Sequence, residues 1–553
     1  MSSQVMPAAT ELRSVHRLTG AYIVVALLSL ALGNVPAIYQ AFDTANIDLQ
    51  SRLPLFRSYY QGLTLHGVGN ALLWTTYFIC GFLSFTLVYA LRRPLASMRL
   101  AWWTFWLMLA GWVLTVGTIL LNEATVLYTF YAPMRANPAF YLGLTLIVVG
   151  TWLTLANFVL TYRHWREQHP DERTPIAVFG ALMTFVMWTI ASVGVAVEVV
   201  VLLLPWSLGL VSTVDPLLAR SLFWFTGHPI VYFWLLPAVV SWYAMLPRLA
   251  GGRLFSENVA RLAFIIFLVM SLPVGLHHQY TDPGVSEWMK LVHAFFTFLV
   301  FFASLLTMFN VGASLELAGR ARGARGWLDW IPRLPWRTPA FTAQALALIL
   351  FIFGGISGLA NASYNVNLVV HNTRWIVGHF HLTVGAAVTL TFIGITYWLV
   401  PYLSGRALWS PRLALAQAWI FFVGQVIFSE SLHRLGLMGM PRRSQIAAAQ
   451  YDLPEWHAWY NSPLVAVGGT ILLIAGLLYL LNMVLTVTIS RQPAAVEVPL
   501  GEYAAGEMPR VHTLLDRWRP WVTAAIVLTL VSWLPPLFTI ITTLTAVRGV
   551  RVW

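Results

Sequence analysis

The 553-residue chain is 58% hydrophobic and 10% charged, with a mean hydropathy of +0.71. Those values exclude a soluble multidomain protein of this length, and apolar runs of twenty or more residues recur from end to end, as in a polytopic helical membrane protein. The net charge is +12, from Lys290 and 32 arginines that cluster in alternate loops, which excludes a nucleic-acid patch and fits the positive-inside pattern.

Arg13, His16 and Arg17 precede the first apolar run, and no small-residue cleavage site follows it, so it reads as a retained helix and not a signal peptide. Spanning segments are predicted at roughly 18–42, 62–91, 101–121, 140–162, 175–205, 217–247, 261–279, 288–318, 340–363, 372–402, 412–435, 463–490 and 518–545. The expected fold is all-α, a membrane bundle of about thirteen helices forming one transmembrane domain over 1–553. With the N-terminus in the cytoplasm, the inner loops carry 22 of the 33 basic residues, among them the run Arg320, Arg322, Arg325, Arg333 and Arg337, and Arg491, Arg510, Arg517 and Arg519. Cys80 is the only cysteine, which excludes an intrachain disulfide and any cysteine-based cluster; it reads as a small core residue. The loop 436–462, with Tyr451, Trp456 and Trp459, reads as a cover, a docking surface or an aromatic belt.

Fourteen histidines sort by position. His16, His164, His169, His433, His457 and His512 fall in or near loops or segment ends and read as solvated or interfacial. His293 reads as a packed helix histidine. His66, His228, His277, His278, His371, His379 and His381 remain. An ionisable group at membrane depth costs roughly 2.5–3.5 kcal/mol, so each is a candidate functional residue; for any one alone, a bond to a nearby backbone carbonyl is the plainer explanation. His379 and His381 are about 200° apart on a helix and point to opposite faces, as if the helix divided two cofactors. Four helices deliver six imidazoles, all but His371, to one half of the bilayer, which favours metal or haem ligation.

Haem iron takes one or two axial imidazoles and copper suits three. His66 with His381 would then hold a low-spin, electron-transferring haem; His228, His277 and His278 one copper ion; His379 a second haem, open toward that copper. Tyr232 lies four residues after His228, on the same helix face, and a phenol there can supply a hydrogen atom to dioxygen.

The stretches YYQGLTLHG (59–67), WFTGHPIVYFWLLP (224–237), PVGLHHQYTDPG (273–284), HNTRWIVGHFH (371–381) and GLMGMPRR (436–443) resemble the haem–copper oxygen reductase superfamily, subunit I of cytochrome c oxidase. The resemblance implies the same ligand sets, a covalent bond between His228 and Tyr232, and haem propionates neutralised by Arg442 and Arg443. It implies a terminal oxidase of a prokaryotic cytoplasmic membrane, its site toward the outer side, reducing O2 with electrons from cytochrome c. Those electrons would pass through a subunit II carrying a binuclear copper centre; a small single-helix subunit is a further expected partner. Ile230 stands where common members have a glutamate, so the chain looks like the B-type, Thermus-like branch, with haem b as the low-spin haem and an a-type high-spin haem. In that branch one cytoplasmic proton path serves both chemistry and pumping. Tyr232, Tyr243, Thr297, Ser304 and Thr307 are its candidates here, although such hydroxyls often only bond back to the i−4 carbonyl. Asn367 stands where relatives often carry a carboxylate, which makes His371 the candidate outer proton acceptor. Two rival readings stay open. A nitric oxide reductase would use iron in place of copper, and Tyr232 argues against it. A haem-binding scaffold would leave the copper histidines and Tyr232 unused.

Overall fold

The computed structural model describes residues 9–501 and 513–551; the predicted features at residues 1–8, Arg510 and His512 lie outside them. Twelve helices among the described residues are long and apolar enough to span a membrane. With one shorter helix they run in the order α1 Thr10–Thr44, α2 Tyr59–Leu91, α3 Met98–Leu120, α4 Pro138–Gln168, α5 Ile176–Ser207, α6 Pro216–Ala244, α7 Glu257–Met270, α8 Glu287–Ala321, α9 Pro339–Ala362, α10 Arg374–Ser404, α11 Pro411–Leu437, α12 Ser462–Thr488 and α13 Arg519–Thr542. The short one, α7, falls in the predicted segment 261–279. Its fourteen residues reach about 21 Å at 1.5 Å each, less than the roughly 30 Å hydrocarbon core. The cause is local. Pro273 has no N–H to continue the ladder, and Gly275 adopts φ +139°. A Cβ at Gly275 would lie 2.4 Å from the Trp224 carbonyl oxygen, so only glycine fits. The chain then turns through a 3₁₀ segment, Leu276–Gln279, that carries His277 and His278.

Capping fixes the entry of the helices that matter most. Ser58 Oγ accepts from Gln61 N at the start of α2, Asp215 Oδ1 from Leu218 N at the start of α6, and Thr373 Oγ1 from Trp375 N at the start of α10. Pro229, lacking an N–H, interrupts α6 at His228. Three π-helical stretches, Val68–Trp74, Glu198–Leu203 and His381–Val388, re-aim side chains; the first follows His66 by two residues and the third begins at His381. Two short pairings, Met134–Arg135 parallel to Val550–Arg551 and Thr213–Val214 antiparallel to Val547–Arg548, tie the described C-terminal stretch to two loops.

The centre of the bundle is the most buried part, with α2 and α10 packed on all sides. α1 meets α2 closely because Gly33 faces Gly69; a Cβ on Gly69 would lie 3.1 Å from Gly33 Cα. Cys80 is buried in this core, as expected. Counted from the helix starts, His66 lies about 10 Å into α2, His228 about 18 Å into α6, and His379 and His381 about 8 and 10 Å into α10. These four, and His277 and His278 clustered with His228, therefore share one half of the bundle.

Candidate haem and copper centre

His66 and His381 face each other. Their rings are 9° from parallel with centroids 6.1 Å apart. His66 Nδ1 donates to Gly33 O at 2.9 Å and His381 Nδ1 to Val377 O at 2.8 Å. With both Nδ1–H groups committed, the two Nε2 lone pairs are left for a metal between them. Two metal–nitrogen bonds of about 2 Å each account for most of the gap. Phe428 packs at 5.0 Å from the His381 ring.

The second set converges from α6 and the Leu276–Gln279 turn. The ligating nitrogens of His228, His277 and His278 all lie within 4.8 Å of one another. His228 Nδ1 approaches His278 Nε2 at 3.2 Å, while His228 Nε2 is buried without a partner. His277 Nδ1 contacts Thr297 Oγ1 at 3.1 Å, and Thr297 Oγ1 also donates to His293 O at 2.6 Å. A hydroxyl that donates to the carbonyl accepts from Nδ1–H, so His277 keeps its Nε2 lone pair free. Trp224 stacks on His278, centroids 3.8 Å apart, and holds that ring in plane. Three converging imidazoles, with His277 Nε2 and its lone pair left free, are a donor set that copper prefers.

His379 points away from His381, as its spacing requires. Its Nδ1 lies 3.0 Å from both Gly354 O and Ser357 Oγ. Gly358 leaves space at its edge, since a Cβ there would come within 3.0 Å of His379 Cε1. His379, the three clustered histidines, Tyr232 and Arg442 line one cavity of about 220 Å³. The Tyr232 ring lies 5.0 Å from the His228 ring.

Cations crowd the mouth of this cavity. Arg442 donates to Asn372 Oδ1 at 2.9 Å; burial, then the neighbouring Arg443 charge, pulls its guanidinium down to about 10. Arg443 has φ +60°, lies over the Tyr128 and Tyr131 rings, and keeps Nη2 buried without a partner. Arg220 pairs with Asp282 at 2.9 Å. The unpaired donors suit anionic carboxylates from a bound group. His371 donates Nδ1–H to Asn367 Oδ1 at 2.7 Å, and its Nε2 is buried and unpartnered. Burial, then Arg442, Arg220 and Lys290, lowers His371 to about 4.

The expected proton-path residues are partly joined. Tyr243 OH meets Thr307 Oγ1 at 2.7 Å, and Ser304 and Thr297 line the cavity beside Tyr232. Thr297 and Thr307 also bond back to the i−4 carbonyls, the plainer role that sequence allows such hydroxyls. His293 is packed and satisfied as predicted, with Nε2 donating to Ser532 O and Nδ1 accepting from Leu276 N. Two histidines read as solvated or interfacial are half-buried and packed. His16 Nε2 meets Tyr89 OH at 2.7 Å, and His433 packs edge-on against Trp375 because both sit on inward helix faces. In the loop 436–462, Trp456 is buried, while Trp459 and Tyr451 are exposed. Trp224, Thr297 as the His277 partner, and Ser357 were the functional neighbours that sequence spacing did not mark.

Residues 17–471 match the family model described as Cytochrome C and Quinol oxidase polypeptide I. The chain is 43% identical over 546 residues to cytochrome c oxidase subunit 1 of Thermus thermophilus, covering 96% of each chain. It is 25% identical to cytochrome c oxidase subunit 1 of Thermostichus vulcanus, covering 85% of this chain and 83% of the relative. A solved haem–copper terminal oxidase dimer structure superposes with a TM-score of 0.92 at 38% identity, covering 97% of this chain and 95% of that one.

Proposed function

We propose, from the premise that the chain belongs to the cytochrome c and quinol oxidase polypeptide I family of haem–copper oxidases, that it is the catalytic subunit of a respiratory terminal oxidase reducing O2 to water. The observation that carries this reading is the single cavity lined by His379, the three-histidine cluster and Tyr232. When bound, a low-spin haem b would supply electron transfer, and an a-type haem with one copper ion would supply oxygen binding and reduction.

His66 and His381 hold the first haem, with Gly33 O and Val377 O fixing their tautomers. His379 would hold the second haem, and His228, His277 and His278 would hold the copper ion. Tyr232 stands beside them to deliver a hydrogen atom; a covalent link from the free His228 Nε2 to a Tyr232 ring carbon would remove one hydrogen from each, and the two electrons and two protons would pass to O2. Arg442 and Arg443 bind haem carboxylates. Protons enter from the cytoplasm by Thr307 and Tyr243, then Ser304 and Thr297, and reach Tyr232. Val239, buried near this route, offers no hydroxyl. His371 accepts a proton on the outer side once bound carboxylates offset the three cations that hold it down. Electrons arrive from cytochrome c through a subunit II with a binuclear copper centre, and a small single-helix subunit completes the complex. The protein spans a prokaryotic cytoplasmic membrane with this site toward the outside. Taking electrons from outside and protons from inside charges the membrane, storing about 2.3 kcal/mol per charge moved against 100 mV.

The test is oxygen uptake by the purified complex in liposomes with reduced cytochrome c. Oxygen consumption with alkalinisation of the inner compartment supports the reading. Turnover of nitric oxide with none of oxygen would overturn it.

A further inference from the structure

Arg374 opens α10 and is 4% exposed. Its Nη2 donates to Ser444 O at 3.2 Å, and its Nε is buried with no partner. Among the described residues no carboxylate lies within ion-pair distance of it. Asp43 lies within electrostatic reach, but its two oxygens accept from Ile446 N and Ala447 N at 2.9 and 3.2 Å. A buried cation without an anion in contact is costly, so the site calls for one.

The register says which anion. Arg374 precedes His381 by seven residues, about 700° of rotation, and so lies on the His381 face of the helix and not the His379 face. Tyr59 precedes His66 by the same seven residues, on the helix opposite. Both therefore stand about 10 Å from the imidazole pair along their helices, toward the same end. They lie close to each other there, with the Tyr59 side chain buried. The Arg374 backbone is fixed to the segment carrying Arg442 and Arg443, with Arg374 N donating to Met440 O at 2.8 Å and Thr373 bridging Pro441.

We infer that Arg374 is a cation built to receive a carboxylate at the edge of the group held by His66 and His381, with Ser444 O aiming its guanidinium and Tyr59 at the same height beside it. This rests on the proposal that those histidines hold a haem, whose propionates are the carboxylates. A fixed cation there opposes the more positive oxidised iron, so it holds the midpoint potential up. Asp43, behind it, partly cancels that effect.

The test is spectroelectrochemical titration of the low-spin haem in the purified complex. In Arg374→Gln the midpoint shifts negative, while the carbon-monoxide-binding haem shifts less. Arg374→Lys stays closer to wild type. Asp43→Asn shifts the other way, and this variant reads the effect even if Arg374→Gln fails to assemble. Intact haem spectra with unmoved midpoints in Arg374→Gln, or in Asp43→Asn should the first not assemble, would overturn the inference and leave the haem assignment standing. Loss of ligation in His66→Ala or His381→Ala tests that assignment separately: a low-spin spectrum persisting in both would remove the premise and the inference with it.

Discussion

Thr297→Val removes one oxygen from a side chain of nearly unchanged shape, and the structure says what that oxygen does. Thr297 Oγ1 lies 3.1 Å from His277 Nδ1 while donating to His293 O. In the valine variant the Nδ1–H of His277, whose residue is 3% exposed, loses its acceptor. A buried donor left unmade costs about 1–3 kcal/mol. The imidazole can escape that cost by moving its proton to Nε2, which is the nitrogen offered to copper. Loss of such an orienting partner typically lowers metal affinity 10–100-fold, or about 1.4–2.7 kcal/mol. The assay is competition for copper by a graded chelator, with haem content measured in the same samples. Thr297→Val should release copper at lower chelator concentration with both haems kept, and Thr297→Ser should behave as wild type. Equal copper retention in all three would refute the claim that Thr297 sets the tautomer, leaving it only a place in the proton path.

His379→Ala should abolish the carbon monoxide difference spectrum and leave the low-spin spectrum, because the two rings point to opposite sides of α10; equal loss of both signals would contradict that. Tyr232→Phe should keep haem and copper content yet lose most oxygen turnover; near-normal turnover would remove the phenol from the chemistry. His371 gives a pH dependence. In the folded haem-free chain, where no carboxylate offsets its neighbouring cations, it is held at about 4, whereas the unfolded chain takes up the proton near 6.5, so its contribution to the stability of that form is present above 6.5 and is lost as pH falls toward 4. His371→Gln should flatten that part of the haem-free chain's thermal-melt profile against pH, and an unchanged slope would show that His371 does not carry it.

Much of this site was legible in sequence because its signals are local. His379 and His381 differ by two residues, and that spacing alone separates their faces. His228, Pro229 and Tyr232 are close enough for one helix turn to join them. The break in α7 could be anticipated at Pro273 and Gly275, although the apolar pattern around them reads as a longer helix. What could not be read depends on partners from distant segments. Gly33 O reaches His66 only because two glycines let α1 and α2 approach. Thr297 finds His277 across a helix pair, and Trp224 finds His278 across a loop that glycine alone can make. The same limit explains His16 and His433, which sit near segment ends yet face inward. Arg374 lies inside the recognised motif, but its meaning appears only when Tyr59, on another helix, stands at equal height.

Metal content measured together with a carbon monoxide difference spectrum, on the purified complex, tests the central claim most directly. The account predicts two haem irons and one copper held by this chain, with only one haem shifting under carbon monoxide. Non-haem iron in place of copper, or no haem that binds carbon monoxide, would contradict it.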